Sequence, residues 1–266
     1  PAAPMEAVGD AEGGRVEGLR TWLRENRVRL HHPLELRARQ DNADNVGLFI
    51  VEPIPEGTLL AEIPHEAILS ERTSSAPRLL GERAFARLPQ HTGSMGCSLR
   101  LSVCIMIEKA LGSVSKWFGY LRFLPDYEHI PLVWDTALCD LMKGTELEDS
   151  TQEDLAEVST IYEGLVQPLI AEAAETCADF ATVDKDAVSF EAFVKAITLA
   201  SSRAFCYEHV AGSASTEQVS EGLIPLADLL NHRLPLSPDY RGSYSGSTDV
   251  TLRYTSRPTR RTRCSS

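Results

Sequence analysis

The pattern of apolar and polar positions divides the chain into three blocks. In the first, Val16, Leu19, Trp22 and Leu23 share one side of a 3.6-residue period, which predicts a short helix over 16–23. Two short apolar runs bounded by polar residues, 34–37 and 46–51, predict strands. Pro53-Ile-Pro-Glu-Gly57 is turn chemistry, because proline fixes φ and Gly57 admits positive φ. A further strand is expected over 58–63, closed by Pro64. Short strands joined by tight turns describe a small β unit with an N-terminal helix over 1–90.

The second block, 91–200, reads as helical. Residues 99–111 are almost wholly apolar and predict a buried helix. A short helix is expected over 134–142, ending near Gly144. Ser150-Thr-Gln-Glu153 has the form of a capping box, so a helix is expected to open there. Leu155, Val158, Tyr162, Leu165 and Leu169 follow at helical spacing, and Pro168 is expected to kink or split that helix. Phe190, Phe193, Ile197 and Ala200 mark another helix, with Ser189 as its N-cap. The third block opens at Ser201-Ser-Arg-Ala-Phe205 and passes a Gly/Ser/Thr-rich loop at 211–216. It reaches Leu223-Ile-Pro-Leu-Ala-Asp-Leu-Leu-Asn-His232 and continues into a tail over 234–266. The 34 residues after His232 hold seven Arg, two Asp and no Glu or Lys. That bias is expected of a disordered tail.

Composition narrows the function classes. With 266 residues, 43% hydrophobic and 24% charged, the chain can bury a core without disulfide staples. The net charge is 26 − 38 = −12, which argues against a grip on nucleic-acid phosphates. No apolar run approaches the ~20 residues that span a bilayer. Residues 1–5 carry no secretory pattern, and the chain opens on Pro1 rather than Met, as expected for a fragment. Cys97, Cys104, Cys139, Cys177, Cys206 and Cys264 show no metal-ligand spacing and read as reduced thiols of an intracellular protein.

Charge is uneven. Residues 140–191 hold fourteen acids and two Lys, so 2 − 14 = −12, the charge of the whole chain. A solvated face of surface helices accounts for this, and so does steering of a basic protein. There is no Walker loop, no G-x-G-x-x-G and no H-E-x-x-H, so no nucleotide or metal site is expected. Gly242-Ser-Tyr-Ser-Gly246 has Tyr at its centre and is not a nucleophile elbow. Asp228, Asn231 and His232 stand out, three polar groups within five residues of an apolar run. Burying them unpaired would cost about 1–3 kcal/mol each. They therefore meet protein partners or a ligand, and composition leaves both open.

The segment ending in Asn231-His232 resembles the hallmark segment of SET-domain methyltransferases, in the branch similar to Rubisco large-subunit lysine methyltransferase and its fungal and animal relatives. Three other stretches agree in order. Asn45-Val-Gly-Leu-Phe49 with Ile54-Pro-Glu-Gly-Thr58 and Glu62-Ile-Pro64 resembles the opening strands. Trp117-Phe-Gly-Tyr-Leu-Arg-Phe-Leu-Pro125, Trp134 and Leu141-Met-Lys-Gly-Thr-Glu-Leu147 resemble the helical insert. Ser202-Arg203-Ala-Phe205 resembles the segment before the Asn-His strand. The match covers about 16–233. It implies an α+β fold: small β-sheets of the SET type, knotted by a threaded C-terminal segment, with a helical insertion over 91–200 and the return to the SET domain over 201–233.

The resemblance also implies an activity: S-adenosylmethionine-dependent methylation of a lysine on a non-histone protein, without metal. Carried over by motif, Asp44 and Val46 would contact the cofactor mainly by backbone, with Asn45 standing where the family usually has Gly. Arg203 would pair with the cofactor carboxylate, a match for its fork of donors. Asn231 and His232 would hold the cofactor's amino-acid end and adenine, and Asp228 would orient this strand or the substrate side. The resemblance fades after His232, so the C-terminal knot segment is expected to be incomplete. Asp249-Val-Thr-Leu-Arg-Tyr254 keeps an acid, a β-branched residue and the Tyr spacing of the family's channel segment but lacks its glycines. Tyr254 is the candidate channel tyrosine. Two alternatives stay open, a protein-histidine methyltransferase of the same fold and a non-catalytic module that binds a basic protein. The chain is expected to be a monomer, nuclear or cytoplasmic, with no nucleic-acid or membrane partner.

Overall fold

The computed structural model describes residues 6–31, 34–39, 42–55, 57–93, 96–210, 217–230 and 249–253. The chain forms two compact units. One comprises Pro1–Ile68, Gly119–Pro125 and Phe205–Ser266, and the other Leu69–Phe118 and Asp126–Ala204.

The first unit begins with a helix over Glu6–Glu25, longer at its N-terminal end than the apolar stripe predicts. Leu19, Trp22 and Leu23 are buried, so the stripe faces the core as its period requires. Arg27 at φ +60° ends it, with the Val28 N–H donating to the Leu23 carbonyl at 2.9 Å. Helix C-termini commonly close on a left-handed residue in this way. Three antiparallel strands follow the order Arg29–Leu30, Leu59–Pro64, Asp249–Arg253, with Leu59–Pro64 central. Leu30 faces Ala61, and Ile63 faces Val250. A separate antiparallel pair joins Leu34–Arg39 to Asn42–Ile50, with Leu36 opposite Leu48, Arg37 opposite Gly47, and a bulge between Ala38 and Arg39. The turn before Leu59–Pro64 forms as expected: Gly57 sits at φ +83° and the Thr58 hydroxyl donates to the Pro55 carbonyl at 2.6 Å. The strands Ala204–Val210 and Glu217–Leu223 are hydrogen-bonded neighbours.

One stretch of the tail, Asp249–Arg253, departs from its expectation of disorder; the remainder of 234–266 lies outside the described residues. Asp249–Arg253 is a strand, paired from Pro64 opposite Asp249 to Leu59 opposite Arg253. Composition misleads here because Arg and Thr do not prevent a strand when a partner edge satisfies the backbone. Val250 and Leu252 alternate as a strand requires.

The second unit is helical. Leu99–Ala110 is buried along nearly its whole length, and its N-cap Ser98 accepts from the Leu101 N–H at 3.2 Å. It packs against Phe190–Arg203. Ser189 caps the latter helix, accepting from the Ala192 N–H at 3.3 Å, as its sequence predicts. The 134–142 helix is shorter, Thr136–Asp140, because Asp135 caps it by accepting from the Leu138 N–H at 2.9 Å.

The capping box at 150–153 does not form. The helix already runs from Glu146 to Ile161. Ser150 and Thr151 lie inside it and donate back to the Leu147 carbonyl at 3.4 and 2.6 Å. Its true start is set by charge. Glu146, Glu148 and Asp149 occupy the first turn, where the helix dipole favours acids. The Glu148 carboxylate also accepts from the Gly144 N–H at 2.7 Å. Pro168 acts as expected but one turn early: a π-helical turn over Tyr162–Val166 precedes the helix Gln167–Thr176. A widened turn of this kind absorbs the clash and the missing N–H that proline imposes.

Among the described residues no helix is long and apolar enough to cross a membrane. None of them forms a cluster of three or more His, Cys, Asp or Glu able to hold a metal ion.

Candidate active site

The Glu217–Leu223 strand delivers the chain into a tightly folded, buried turn. Leu223, Ile224, Leu226 and Ala227 are at most 2% exposed. Leu226 adopts φ +72° and ψ −41°, a conformation that costs a branched side chain about 1–3 kcal/mol. A short 3₁₀ turn over Ala227–Leu229 follows. It is closed by the Asp228 N–H donating to the Ile224 carbonyl at 3.2 Å, the Leu229 N–H to Leu226 at 3.2 Å and the Leu230 N–H to Ala227 at 3.3 Å. Burial of the apolar side chains contributes to holding the strained residue.

This turn presents Asp228, whose Oδ2 accepts a 2.6 Å hydrogen bond from the Tyr120 hydroxyl. Tyr120 is fully buried, and its ring stacks on Trp22 at 5.4 Å between centroids and 28° between planes. Asp228 is thus held by the segment Gly119–Pro125, and that segment by the N-terminal helix. The guanidinium of Arg15 adds a second tie, donating to the Phe123 carbonyl at 2.8 Å. The Asn42–Ile50 strand, whose backbone includes Asp44 and Val46, lies against the Ala227–Leu229 turn. Three stretches far apart in sequence therefore meet around Asp228. Asn231, His232 and Tyr254 lie outside the described residues.

Arg203 is the last residue of its helix, directly before the Ala204–Val210 strand. Its Nε donates to Glu128 Oε1 at 2.5 Å, and its side chain is only 15% exposed. The Glu128 N–H donates to the buried Thr198 hydroxyl at 2.9 Å, which pins Glu128 beside the same helix. Two residues before Glu128, Asp126 bridges Lys109 and Lys195, each at 2.9 Å. Partial burial alone would raise the Asp126 pKa, but the hydrogen bonds from the two lysines outweigh it and hold the carboxyl below its usual range. Lys195 is raised, first by its bond to Glu191 and then by Asp126.

A depressed carboxyl contributes stability above its unfolded pKa of ~3.9 and loses it as pH falls through the folded value. The Asp126 side chain is 60% exposed, so the contribution is below about 1 kcal/mol. The expected result is a small loss of stability below about pH 4 that the Asp126→Asn variant lacks. Denaturant midpoints measured from pH 6 to pH 2 check it, and parallel curves for the two proteins would contradict it.

The sequence marks Asp228 and Arg203 as site residues but gives no such role to Tyr120, Trp22 or Glu128. Tyr120 and Trp22 stand at apolar positions that any core residue fills. Only the family-like run from Trp117 to Pro125 hints at Tyr120.

The comparisons with known proteins agree on one fold. No protein-family model matches the chain. Among solved structures it is similar to Rubisco LSMT bound to sinefungin and monomethyllysine, with a TM-score of 0.68 and 18% identity over 93% of this chain and 51% of that one. It is also similar to Rubisco LSMT bound to AdoMet, with a TM-score of 0.64 and 17% identity over 92% and 51%. It is similar as well to the SET domain of LSMT bound to lysine and AdoHcy, with a TM-score of 0.66 and 16% identity over 91% and 50%. The chain therefore has the α+β SET-domain fold with a helical insertion, and is related to Rubisco LSMT in that fold. Among curated sequences it is 27% identical over 242 residues to N-lysine methyltransferase SETD6 of Mus musculus, covering 87% of this chain and 48% of the relative. It is 28% identical over 131 residues to actin-histidine N-methyltransferase of Drosophila melanogaster, covering 49% and 22%. The chain spans about half the length of the N-lysine methyltransferase SETD6 it matches.

Proposed function

We propose that this chain is the catalytic core of an S-adenosylmethionine-dependent protein-lysine N-methyltransferase that acts on a non-histone protein. The observation that carries the reading is the similarity to SETD6 across 87% of the chain, which runs through the segments that meet at Asp228. The fold supports it, being that of Rubisco LSMT solved with AdoMet and with monomethyllysine.

The residues present fit the cofactor chemically. Its amino-acid end is a zwitterion, which needs a cation and acceptors. Arg203 supplies a mostly buried guanidinium, the fork of donors that suits the cofactor carboxylate. Bound, the cofactor supplies a methyl group on a sulfonium, the electrophile of an in-line transfer to a neutral amine. Asp44 and Val46 would hold it through their backbones, Arg203 at its carboxylate, and Asn231 and His232 at its amino-acid end and adenine. Asp228 would fix the approach of these last two. Tyr254 would line the lysine channel. The protein's work is alignment and exclusion of water, which lowers the barrier by holding the amine in attack geometry. The acidic stretch 140–191 would steer a basic substrate toward the helical unit. We place the protein in the nucleus or cytoplasm as a monomer.

Calorimetric titration with S-adenosylmethionine tests the reading. Wild type is expected to bind near the micromolar range, about −8 kcal/mol, and Asn231→Ala to lose measurable binding. A folded wild-type chain that does not bind sinks the reading. The similarity to actin-histidine N-methyltransferase favours a second reading, methyl transfer to histidine. Arrays of Lys- and His-containing peptides separate the two by which residue gains a methyl group.

A further inference from the structure

The Tyr120 hydroxyl reaches directly into the site turn, donating to Asp228 at 2.6 Å. Two independent features meet there. Leu226 holds an unfavourable backbone conformation two residues before Asp228. The Asp228 carboxylate is bonded to a phenol carried by a different segment of the same compact unit, 108 residues earlier. A strained turn relaxes unless something holds it.

We propose that Tyr120 is a positioning residue of the candidate active site. By donating to Asp228 it clamps the 224–230 turn in its strained form and so fixes the position of the Asp228 carboxylate. The reach extends further back. Tyr120 is held by its stack on Trp22, and Trp22 by burial of the Glu6–Glu25 helix. The N-terminal helix is thereby coupled to the site through Tyr120. A phenol makes an effective clamp because its ring is fixed by stacking and burial while its O–H points one strong bond at a carboxylate. This inference rests on the proposed function for its cofactor arm but not for its backbone arm.

Tyr120→Phe is the informative variant, because it keeps the ring, the stack on Trp22 and the packing while removing the hydroxyl. Two measurements are made on the full chain. Amide hydrogen exchange reads the turn directly: the Asp228, Leu229 and Leu230 amides are expected to exchange about tenfold faster in Tyr120→Phe than in wild type. Amides of Ile63 and Ile107 should be unchanged. Equal rates at the turn would overturn the clamp. Calorimetry with S-adenosylmethionine then reads the consequence. Tyr120→Phe and Asp228→Asn should each weaken binding about tenfold, and the double variant no more than the worse single.

Multiplying effects in the double variant would mean that Tyr120 does not act through Asp228. A merely structural role would lower the unfolding midpoint without this coupling. If wild type fails to bind the cofactor, the proposed function falls while the exchange result still decides whether Tyr120 clamps the turn.

Discussion

Replacing Glu108 by alanine is expected to destabilise the helical unit by about 3–4 kcal/mol. Glu108 is 1% exposed, on the buried helix Leu99–Ala110. One carboxylate oxygen accepts from the Ser74 hydroxyl at 2.9 Å and the Ser75 N–H at 2.5 Å, and the other from the Ser115 hydroxyl at 2.5 Å. Those hydroxyls in turn accept from the Ala76 N–H at 3.1 Å and the Trp117 N–H at 2.9 Å. One side chain thus ties two loops to the central helix, directly and through the two serines. Alanine would leave the half-buried Ser75 N–H without its acceptor, at about 1–3 kcal/mol, and remove the stem as well. The serine hydroxyls can rotate to other acceptors, so they add less. Glutamine keeps one carbonyl oxygen and should cost roughly half as much. Denaturant unfolding of the three proteins checks the order wild type, glutamine, alanine. An alanine variant within about 1 kcal/mol of wild type would show that the network contributes little.

The second large effect is a reversal of sign between two glycines. Gly18 and Gly119 are both helical, and alanine is worth about 0.5–1 kcal/mol over glycine in a helix. A Cβ at Gly18 meets nothing within 4 Å, so Gly18→Ala is expected to stabilise by that amount. A Cβ at Gly119 would lie 2.8 Å from Trp22 Cβ and 3.0 Å from its Cδ1. Trp22 is 4% exposed and stacked on Tyr120, so it has no room to retreat. Gly119→Ala is therefore expected to destabilise by about 1–3 kcal/mol despite its better propensity. Thermal midpoints that move in opposite directions bear this out. A stabilised Gly119→Ala would mean that the Trp22 contact yields easily.

Local patterns carry some of these elements and not others. The helix Phe190–Arg203 is legible in the sequence because its cap and its apolar stripe lie within a few residues of each other. The pair Leu34–Arg39 and Asn42–Ile50 is legible as two strands from equally local runs. The start at Glu146 is not, because two local signals compete, a capping-box pattern and three acids in a first turn. Propensity favours neither strongly, and only the formed helix shows which four N–H groups need partners.

The site divides along the same line. Local sequence marks Asp228 as a polar group in an apolar run, and the resemblance orders it with Asp44, Val46, Arg203, Asn231 and His232. The sequence by itself determined the helix periods, the cap at Ser189, the turn at Gly57 and the SET-like order of segments. The first three depend on contacts within about one helical turn or one hairpin. Tertiary structure alone decided that Asp249–Arg253 pairs with Leu59–Pro64, that Glu128 meets Arg203, and that Tyr120 reaches Asp228. No local pattern encodes a partner 75 or 108 residues away. Such pairs form because collapse of the apolar side chains brings the segments together, and because a buried donor or acceptor left alone costs more than the pairing.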